Sequence, residues 1–314
     1  MTAPRRAPRN RTLTLSEEEC AELEKTLLVP SSKLAAAEAE DRLILGDIRQ
    51  VAPLLPERFA DLVILDPPYD LDKDFNGRKF SRLGPDAYLE YLAKHLELIV
   101  HVLKPTASVY LCGDWRSSGA CFAALSRFFK VRNRIVWQRE KGRGAAKNWK
   151  NCTEDIWFAT VSDDYYFDLD KVKQLRRVVA PYREAGRPKD WNETADGNFR
   201  LTCPSNFWDD LTVPFWSMPE NTDHPTQKPE KLLAKLILAS SPPGGMVLDP
   251  FMGSGTAPVV ARKLGRRFCG VEIDRTYSCC AAERLRRAAG DPAIQGYRNG
   301  VFLERNCRLA GEPD

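Results

Sequence analysis

The four residues Asp66-Pro67-Pro68-Tyr69 place a carboxylate, two rigid prolines and an aromatic ring directly after the short apolar run 62–65. This run is predicted to be a buried strand, and open α/β sheets bind their ligands beyond the carboxyl ends of their strands. A carboxylate there can accept a hydrogen bond from a planar amino group, while the aromatic ring offers a stacking face. The stretch therefore predicts a site for an amino-substituted ring.

A second candidate site is a glycine-rich turn between a predicted strand, 246–248, and a predicted helix, 257–264. The turn reads Asp249-Pro250-Phe251-Met252-Gly253-Ser254-Gly255-Thr256. Its glycines let a ligand approach the backbone, and the following helix presents free N–H groups. Glu272 ends the next strand, where a carboxylate typically binds ribose hydroxyls. Because Pro258 replaces the third glycine of the dinucleotide fingerprint, a nucleoside without pyrophosphate is favoured over a dinucleotide, and a purely structural turn is the alternative.

Two further stretches are candidates for the same ligand. His224-Pro225-Thr226-Gln227-Lys228-Pro229 precedes the predicted helix 231–240. Thr226 or Gln227 can cap this helix and Lys228 can hold a carboxylate, whereas a proline-stiffened helix start is the structural alternative. Asp47 ends the predicted strand 43–45, where it either faces the ligand or is a solvated carboxylate.

The elements that position these residues alternate between strands and helices, which is typical of a largely parallel sheet. A capping box at Ser16 opens a helix to about residue 28, and the other predicted elements are helices 85–103, 118–129 and 277–289 and strands 108–112, 132–138, 156–161 and 267–273. The range 139–222 is rich in basic residues, Pro, Asn, Asp and Trp, and is predicted to form loops and short elements beside the sheet.

Composition excludes several classes of protein. With 314 residues and 43% hydrophobic residues, the chain can bury a large core, whereas a net charge of +4 does not by itself identify a nucleic-acid binder. No apolar run reaches the roughly 18 residues of a membrane helix. The basic stretch 1–14 lacks the apolar segment of a secretory signal and is predicted to be a disordered arm. Nine cysteines without a C-x-x-C pair indicate reduced thiols, no metal site and a cytoplasmic location.

Taken together, the motifs resemble those of the amino-group DNA methyltransferases that use S-adenosyl-L-methionine. Residues 66–69 are similar to their catalytic motif, 249–256 to their cofactor loop, and 224–229 to the segment that completes the cofactor pocket. The catalytic motif comes first and the cofactor loop follows about 180 residues later, which is the permuted order of the beta class. The resemblance covers roughly residues 41–285.

The resemblance implies a Rossmann-like methyltransferase fold, an α/β fold whose mainly parallel twisted sheet carries helices on both faces. We expect a basic arm and short helix over 1–40, one catalytic domain over 41–290 with a target-recognition insertion at about 139–222, and a C-terminal tail over 291–314. The catalytic residues would be Asp66, Pro67, Pro68 and Tyr69. The cofactor residues would be Asp47, Thr226, Lys228, Asp249, Pro250, Phe251, Gly253, Ser254, Gly255, Thr256 and Glu272. The contacts to double-stranded DNA would come from Lys79, Arg139, Lys141, Arg143, Lys147, Trp149 and Lys150.

The resemblance leaves the target base open, because cytosine and adenine present the same amino edge. The Asp-Pro-Pro-Tyr form is commonest in adenine-N6 enzymes, but the stretches 75–77 and 113–115 resemble a subgroup that contains cytosine-N4 enzymes. We therefore favour cytosine N4 over adenine N6. A methyltransferase for RNA or protein glutamine, or a non-catalytic DNA-binding module, is a further alternative. The resemblance also suggests a homodimer, and a restriction endonuclease would be a separate protein because 314 residues leave no room for a nuclease.

Overall fold

The order of strands and helices follows the predicted α/β alternation. A computed structural model of the chain describes residues 7–139, 146–178, 182–194 and 197–304. In this part of the chain the α-helices are α1 Glu17–Glu24, α2 Ala36–Ala39, α3 Ile48–Val51, α4 Pro85–Ile99, α5 Ser118–Phe128, α6 Glu230–Ser240, α7 Thr256–Lys263 and α8 Arg275–Ala288. None of these described helices has the length and apolar character that a membrane crossing requires.

The strands of the same ranges are β1 Arg42–Leu45, β2 Ala60–Leu65, β3 Lys73–Phe75, β4 Arg78–Phe80, β5 Leu103–Gly113, β6 Lys130–Gln138, β7 Thr153–Thr160, β8 Gln174–Arg177, β9 Arg183–Glu184, β10 Arg187–Pro188, β11 Asn192–Thr194, β12 Gly197–Thr202, β13 Phe207–Trp208, β14 Met246–Asp249, β15 Arg267–Glu272, β16 Tyr297–Arg298 and β17 Val301–Leu303. Single 3-10 turns lie at Ala52–Leu54, Val100–Val102 and Asp170–Val172.

The main sheet has eight strands in the order β1-β15-β14-β2-β5-β7-β6-β13. The first five strands of this order are mutually parallel, whereas β7 runs antiparallel to both β5 and β6. Parallel strands need crossover connections, and the helices between them provide these connections. The mainly parallel sheet of the Rossmann-like methyltransferase fold is therefore confirmed.

Helices cover both faces of the sheet because the strand side chains alternate. In β2, Leu62 and Ile64 belong to a core cluster that includes α6, α7 and α8, whereas Val63 and Leu65 belong to a second cluster that includes α3, α4 and α5. Successive strand residues point to opposite faces, so a fully apolar strand supplies both cores. Each of the four side chains is at most 2% exposed, which fixes β2 at the centre of the molecule.

Several element boundaries differ from the predicted ones. The capping box of Ser16 and Glu19 is present, but α1 ends at Glu24 rather than near residue 28. The predicted helix 85–103 ends as α4 at residue 99, because the chain passes through a 3-10 turn into β5. Strand β5 begins at residue 103, five residues before its predicted start, since it extends through Pro105. Proline is compatible with a strand where its missing N–H is not needed for pairing.

The range 139–222, predicted as an insertion, contains an interior strand of the main sheet. Strand β7 lies between β5 and β6, and only the rest of the range forms the predicted short elements. A second sheet has the order β11-β12-β8-β17-β16, and β9 pairs with β10 as a separate hairpin. The range 291–314, predicted as a tail, contributes β16 and β17 to this sheet, because the fully buried Phe302 anchors β17 beside β8.

A buried charge cluster connects the second sheet to the main body. Asp210 accepts hydrogen bonds from Lys235 Nζ at 2.7 and 2.8 Å, and Lys231 Nζ lies 2.7 Å from the same carboxylate. Lys231 also donates to the Leu303 carbonyl at the end of β17. Burial opposes ionisation of Asp210, but the two lysines outweigh it and lower the pKa of this carboxyl group. Asp210 is therefore the shared counter-ion of two buried lysines on α6.

We predict that Asp210→Ala lowers the free energy of unfolding by about 3–5 kcal/mol, because two buried ammonium groups lose their counter-ion. Denaturant unfolding measures this loss. Asp170→Ala is the control, since Asp170 pairs with Lys173 at 2.8 Å on the surface and should leave stability unchanged. Equal losses in the two variants would contradict the role of Asp210.

Candidate functional site

The two predicted motifs meet because their strands are neighbours. Strands β2 and β14 pair in parallel, with Leu62 opposite Val247 and Val63 opposite Leu248. Their carboxyl ends therefore lie side by side, although Asp66 and Asp249 are far apart in the chain. Both motifs line one cavity of about 510 Å³. Small-molecule sites typically enclose roughly 300–1,000 Å³, so the cavity is large enough for a cofactor.

The loop 66–69 is held from both sides. Helix α4 supplies the fully buried Tyr88, whose hydroxyl donates to the Pro68 carbonyl at 2.9 Å. Tyr69 turns its hydroxyl inward, 3.0 Å from Asp66 Oδ1 and 3.1 Å from Glu154 Oε2 on β7. A phenol has one proton to donate, so it cannot satisfy both carboxylates at once. Burial, followed by the charges of Asp66 and Glu154, raises the pKa of Tyr69 well above its usual range.

Lys228 contacts the carboxylate of Asp66. Its Nζ is 2.7 Å from both oxygens of Asp66, 3.0 Å from the Tyr69 hydroxyl and 3.4 Å from Glu154 Oε2. Burial disfavours the ammonium, but Asp66 and Glu154 outweigh this effect and raise the pKa of Lys228. The expectation that Lys228 can hold a carboxylate is met by Asp66, because the segment 224–229 passes beside the end of β2. Its predicted contact with the cofactor stays a prediction, since Lys228 also lines the cavity.

On the opposite side of the cavity, Glu272 organises the glycine turn. One carboxylate oxygen accepts from Gly253 N at 2.9 Å and the other from Asp274 N at 2.8 Å. Each oxygen keeps a further lone pair, so the carboxylate can still accept from two hydroxyls of a ligand. Burial raises the pKa of Glu272. The turn itself needs glycine at residue 253, whose φ of +51° lies in the left-handed region.

Asp249 is a buried carboxylate with spare acceptor capacity. Its Oδ1 accepts from Phe251 N at 3.1 Å, and burial raises the pKa of Asp249 well above its usual range. A buried carboxylate with few donors is stabilised when a ligand brings a cationic amino group. S-adenosylmethionine carries such an amino group on its amino-acid part, and Asp249 and Phe251 both line the cavity.

The segment 222–228 is rigid because Gln227 hydrogen-bonds within it. Gln227 Oε1 accepts from Thr222 N at 2.9 Å and from its hydroxyl at 2.7 Å, and Gln227 Nε2 donates to the Glu220 carbonyl at 2.7 Å. His224 packs against Tyr277 in an edge-to-face pair with centroids 4.5 Å apart. Burial lowers the pKa of His224 to about 3, so its ring is neutral.

The residues present fit the expected cofactor. His224 Nδ1 is buried without a hydrogen-bond partner in the part of the chain that the structure describes, and its ring lines the cavity. The cavity itself presents the acceptors Asp249 and Glu272, which keep unused lone pairs, and the apolar Phe251. This set matches a ligand that has an amino acid at one end and a nucleoside at the other.

Not every predicted cofactor residue lines this cavity. Those that do are Thr226, Lys228, Asp249, Phe251, Gly253, Ser254, Thr256 and Glu272, whereas Asp47, Pro250 and Gly255 do not. Asp47 caps α3 by accepting from Arg49 N at 2.9 Å and pairs with the Arg49 guanidinium. Gly255 packs against α8, since a Cβ there would lie 2.4 Å from Ala281 Cβ.

The predicted DNA-binding residues divide into three groups. Lys79 and Arg139 line the cavity, where Arg139 also forms an ion pair with Glu154. Lys147, Trp149 and Lys150 are exposed, and Trp149 is 93% exposed, so its ring is free to stack on a base. Lys141 and Arg143 lie outside the described residues. Contact with DNA stays a prediction for all seven.

The hairpin of β3 and β4 spans the cavity between the two motifs. Its turn has Asn76 and Gly77 at φ +53° and +87°, the pattern of a tight two-residue hairpin. Asn76 Nδ2 donates to Asp274 Oδ2 at 3.1 Å, which ties the hairpin to the start of α8. The aromatic Phe75 and Phe80 line the cavity from this side.

Sequence reasoning missed Glu154, whose side chain is 6% exposed and lies in direct contact distance of Tyr69 and Lys228. Strand β7 runs antiparallel, so its amino end meets the carboxyl ends of the parallel strands. Carboxylates that follow predicted strands are therefore not the only ones at this edge, since Glu154 lies near the start of β7. Recognising the reversed direction of β7 would have pointed to Glu154.

We predict that Gly253→Ala weakens cofactor binding at least about tenfold, equivalent to ~1.4 kcal/mol. A Cβ there would lie 2.8 Å from His224 Nε2 and sit on a left-handed backbone. Isothermal titration calorimetry with S-adenosylmethionine measures the change. The matched control is Gly244→Ala, which has a φ of +72° but nothing within 4 Å of an added Cβ. Unchanged affinity in Gly253→Ala would refute the predicted contact.

Comparison with known proteins gives consistent results. A family model described as "DNA methylase" matches residues 60–283. The DNA adenine methyltransferase YhdJ of Escherichia coli (strain K12) is 33% identical over 285 residues, covering 87% of this chain and 93% of the relative. The type II methyltransferase M.HpaI of Haemophilus parainfluenzae is 32% identical over 249 residues, covering 78% of this chain and 74% of the relative.

Among solved structures, the PvuII DNA methyltransferase (cytosine-N4-specific) superposes with a TM-score of 0.57 over 77% of this chain and 85% of that one. At 18% identity, this likeness supports the fold alone.

Proposed function

Because the chain belongs to the DNA methylase family, we propose that it methylates the exocyclic amino group of a base flipped out of duplex DNA, with Asp66 as the acceptor for that amino group. The chain is an S-adenosylmethionine-dependent DNA methyltransferase. The observation that carries the assignment of Asp66 is geometric. The carboxylate at the end of β2 and the glycine turn at the end of β14 line one cavity.

The cofactor, when bound, supplies an electrophilic methyl group. In our proposal Asp249 accepts from its amino group and Glu272 from its ribose hydroxyls, since both carboxylates have unused lone pairs at the cavity. Phe251 supplies apolar contact. These residues hold the cofactor beside the end of β2.

The amino nitrogen of a base is a poor nucleophile because its lone pair is delocalised into the ring. Asp66 and the Pro67 carbonyl accept its two N–H bonds, which draws the nitrogen toward a tetrahedral geometry and aims the lone pair at the methyl group. Positioning and fixed charge therefore provide most of the rate enhancement. The proton leaves to Asp66 or to water after the transfer. A paired base cannot reach the cavity, so the target must be flipped out of the duplex.

The remaining assignments concern DNA. Tyr69 provides the stacking face for the flipped base, and Lys79 and Arg139 meet the DNA at the cavity. The exposed Lys147 and Lys150 contact phosphates, which fix orientation without reading sequence. A homodimer, a separate restriction endonuclease as partner and a cytoplasmic location, all expected from the sequence, are part of the same proposal.

For the target base, we propose adenine N6 as the first to test. The relative that is 33% identical is named a DNA adenine methyltransferase, and the Asp-Pro-Pro-Tyr form is commonest in adenine-N6 enzymes. Cytosine N4, favoured from the stretches 75–77 and 113–115, stays a prediction that the same experiment tests.

The experiment incubates the protein with duplex DNA and S-adenosylmethionine labelled on its methyl group, and identifies the digested nucleosides by mass spectrometry. N6-methyladenine would support the proposal as stated, and N4-methylcytosine would retain the enzyme class but change the base. Label in RNA or protein, with none in DNA, would overturn the proposal.

We predict that Asp66→Ala reduces methylation by at least about 1,000-fold, because the amino group loses its charged acceptor. Cofactor affinity by calorimetry should persist, since the glycine turn and Glu272 are untouched. Asp163→Ala removes an exposed carboxylate that pairs with Lys130 and Arg132 and serves as the control. Full activity in purified Asp66→Ala would exclude the mechanism.

A further inference from the structure

Two carboxylates and two cations form a closed group at the base of the cavity. Lys228 contacts both oxygens of Asp66 at 2.7 Å and lies 3.4 Å from Glu154, while Arg139 pairs with the other oxygen of Glu154. The side chains of Lys228 and Glu154 are 7% and 6% exposed, and that of Asp66 is 20% exposed.

The need for Lys228 follows from the position of Tyr69. Its hydroxyl is 3.0 Å from Asp66 and 3.1 Å from Glu154, so without Lys228 these two carboxylates would share one donor and Arg139 would reach only Glu154. A like charge beside a poorly solvated carboxylate favours its protonated form. A protonated Asp66 would lose acceptor capacity, which its proposed task requires.

The other titratable groups that face Lys228 do not supply the missing positive charge. They are Tyr69, Cys112, Arg139, Glu154, His224 and Asp249. Burial raises the pKa of the Cys112 thiol and the Asp249 carboxyl group, and it lowers that of His224 to about 3. Arg139 is engaged by Glu154, so Lys228 is the described cation that contacts Asp66 directly.

We propose that Lys228 and Glu154 are positioning residues with different tasks: Lys228 keeps Asp66 charged and fixed in orientation as a hydrogen-bond acceptor, whereas Glu154 fixes Lys228 and adds a competing negative charge. Lys228 supplies the charge that Asp66 needs, and Glu154 holds the ammonium and the Tyr69 hydroxyl in place. This inference rests on the proposed role of Asp66 and adds two residues to it. It assigns Lys228 to the catalytic carboxylate rather than to the cofactor.

The test compares single-turnover methylation of duplex DNA between about pH 5 and 9 for the wild type, Lys228→Met, Glu154→Gln and the double variant. Lys228→Met should lower the rate at pH 7 by on the order of 100-fold. The acid limb of its pH profile should move up by about one unit or more, because a carboxylate without its cation takes up a proton more readily. Cofactor affinity by calorimetry should stay within about threefold, equivalent to less than ~1 kcal/mol.

The more decisive comparison is between Lys228→Met and the double variant, in which the lost positive charge is compensated by a lost negative charge. Glu154→Gln removes the competing carboxylate, so its acid limb should move to lower pH. In the double variant, loss of the second negative charge should return the acid limb toward that of the wild type. A role confined to packing predicts additive losses without this return. Glu154→Gln keeps the test decisive if Lys228→Met does not fold, because an unmoved acid limb in Glu154→Gln would overturn the proposal.

The matched control is Lys104→Met. Lys104 also contacts a carboxylate at 2.7 Å, and its partner Asp61 lies near the opposite end of the same strand as Asp66. Its loss should leave the pH profile unchanged. A shift of equal size in Lys104→Met would show that general charge effects cause it.

The outcomes separate this inference from the proposed function. A wild type that methylates DNA, together with Lys228→Met that loses cofactor affinity at an unmoved acid limb, would assign Lys228 to the cofactor and overturn the inference alone. Full activity of Lys228→Met would do the same. A wild type that leaves duplex DNA unmethylated would overturn the proposed function itself.

Discussion

The parallel pairing of β2 with β14 is the constraint on which the site depends. It brings the ends of two strands from distant parts of the chain to one edge of the sheet, and each strand delivers a carboxylate into the shared cavity. The pairing is stable because both strands are buried on both faces and feed two separate cores. Misregister by one residue would exchange the two faces of β2 and break both cores, so the position of Asp66 is tied to the stability of the whole domain.

Much of this arrangement was predictable because its signals are local. An apolar run followed by Asp66 indicates a strand end, and the glycines at 253 and 255 indicate a turn in which both adopt positive φ. Asp47 shows a limit of the same reasoning. Asx residues that follow a strand also begin helices, and Asp47 caps α3 and is not among the residues that line the cavity.

The unpredicted part of the site depends on long-range pairing. Glu154 enters the cavity because β7 runs antiparallel, and Lys228 reaches Asp66 because α6 packs beside the end of β2. Neither of these two positions can be predicted from local composition or hydrophobic periodicity. Lys228 and Glu154 are nearly buried, so this group of charges depends on its internal contacts more strongly than a surface pair would. The chemistry at this edge of the sheet therefore depends on residues from four separate segments of the chain.

The second sheet is built from two separate stretches of the chain. Strand β17 lies parallel beside β8, with Phe302 opposite Gln174. Two strands that are far apart in the sequence therefore pair with each other in this sheet. Recombination that exchanged only the contiguous stretch 139–222 would separate β8 from its neighbour and expose an unpaired strand edge. A new second sheet would thus require matching changes in two separate stretches of the gene. Sequence change in β17 would be limited by the need to keep its pairing with β8.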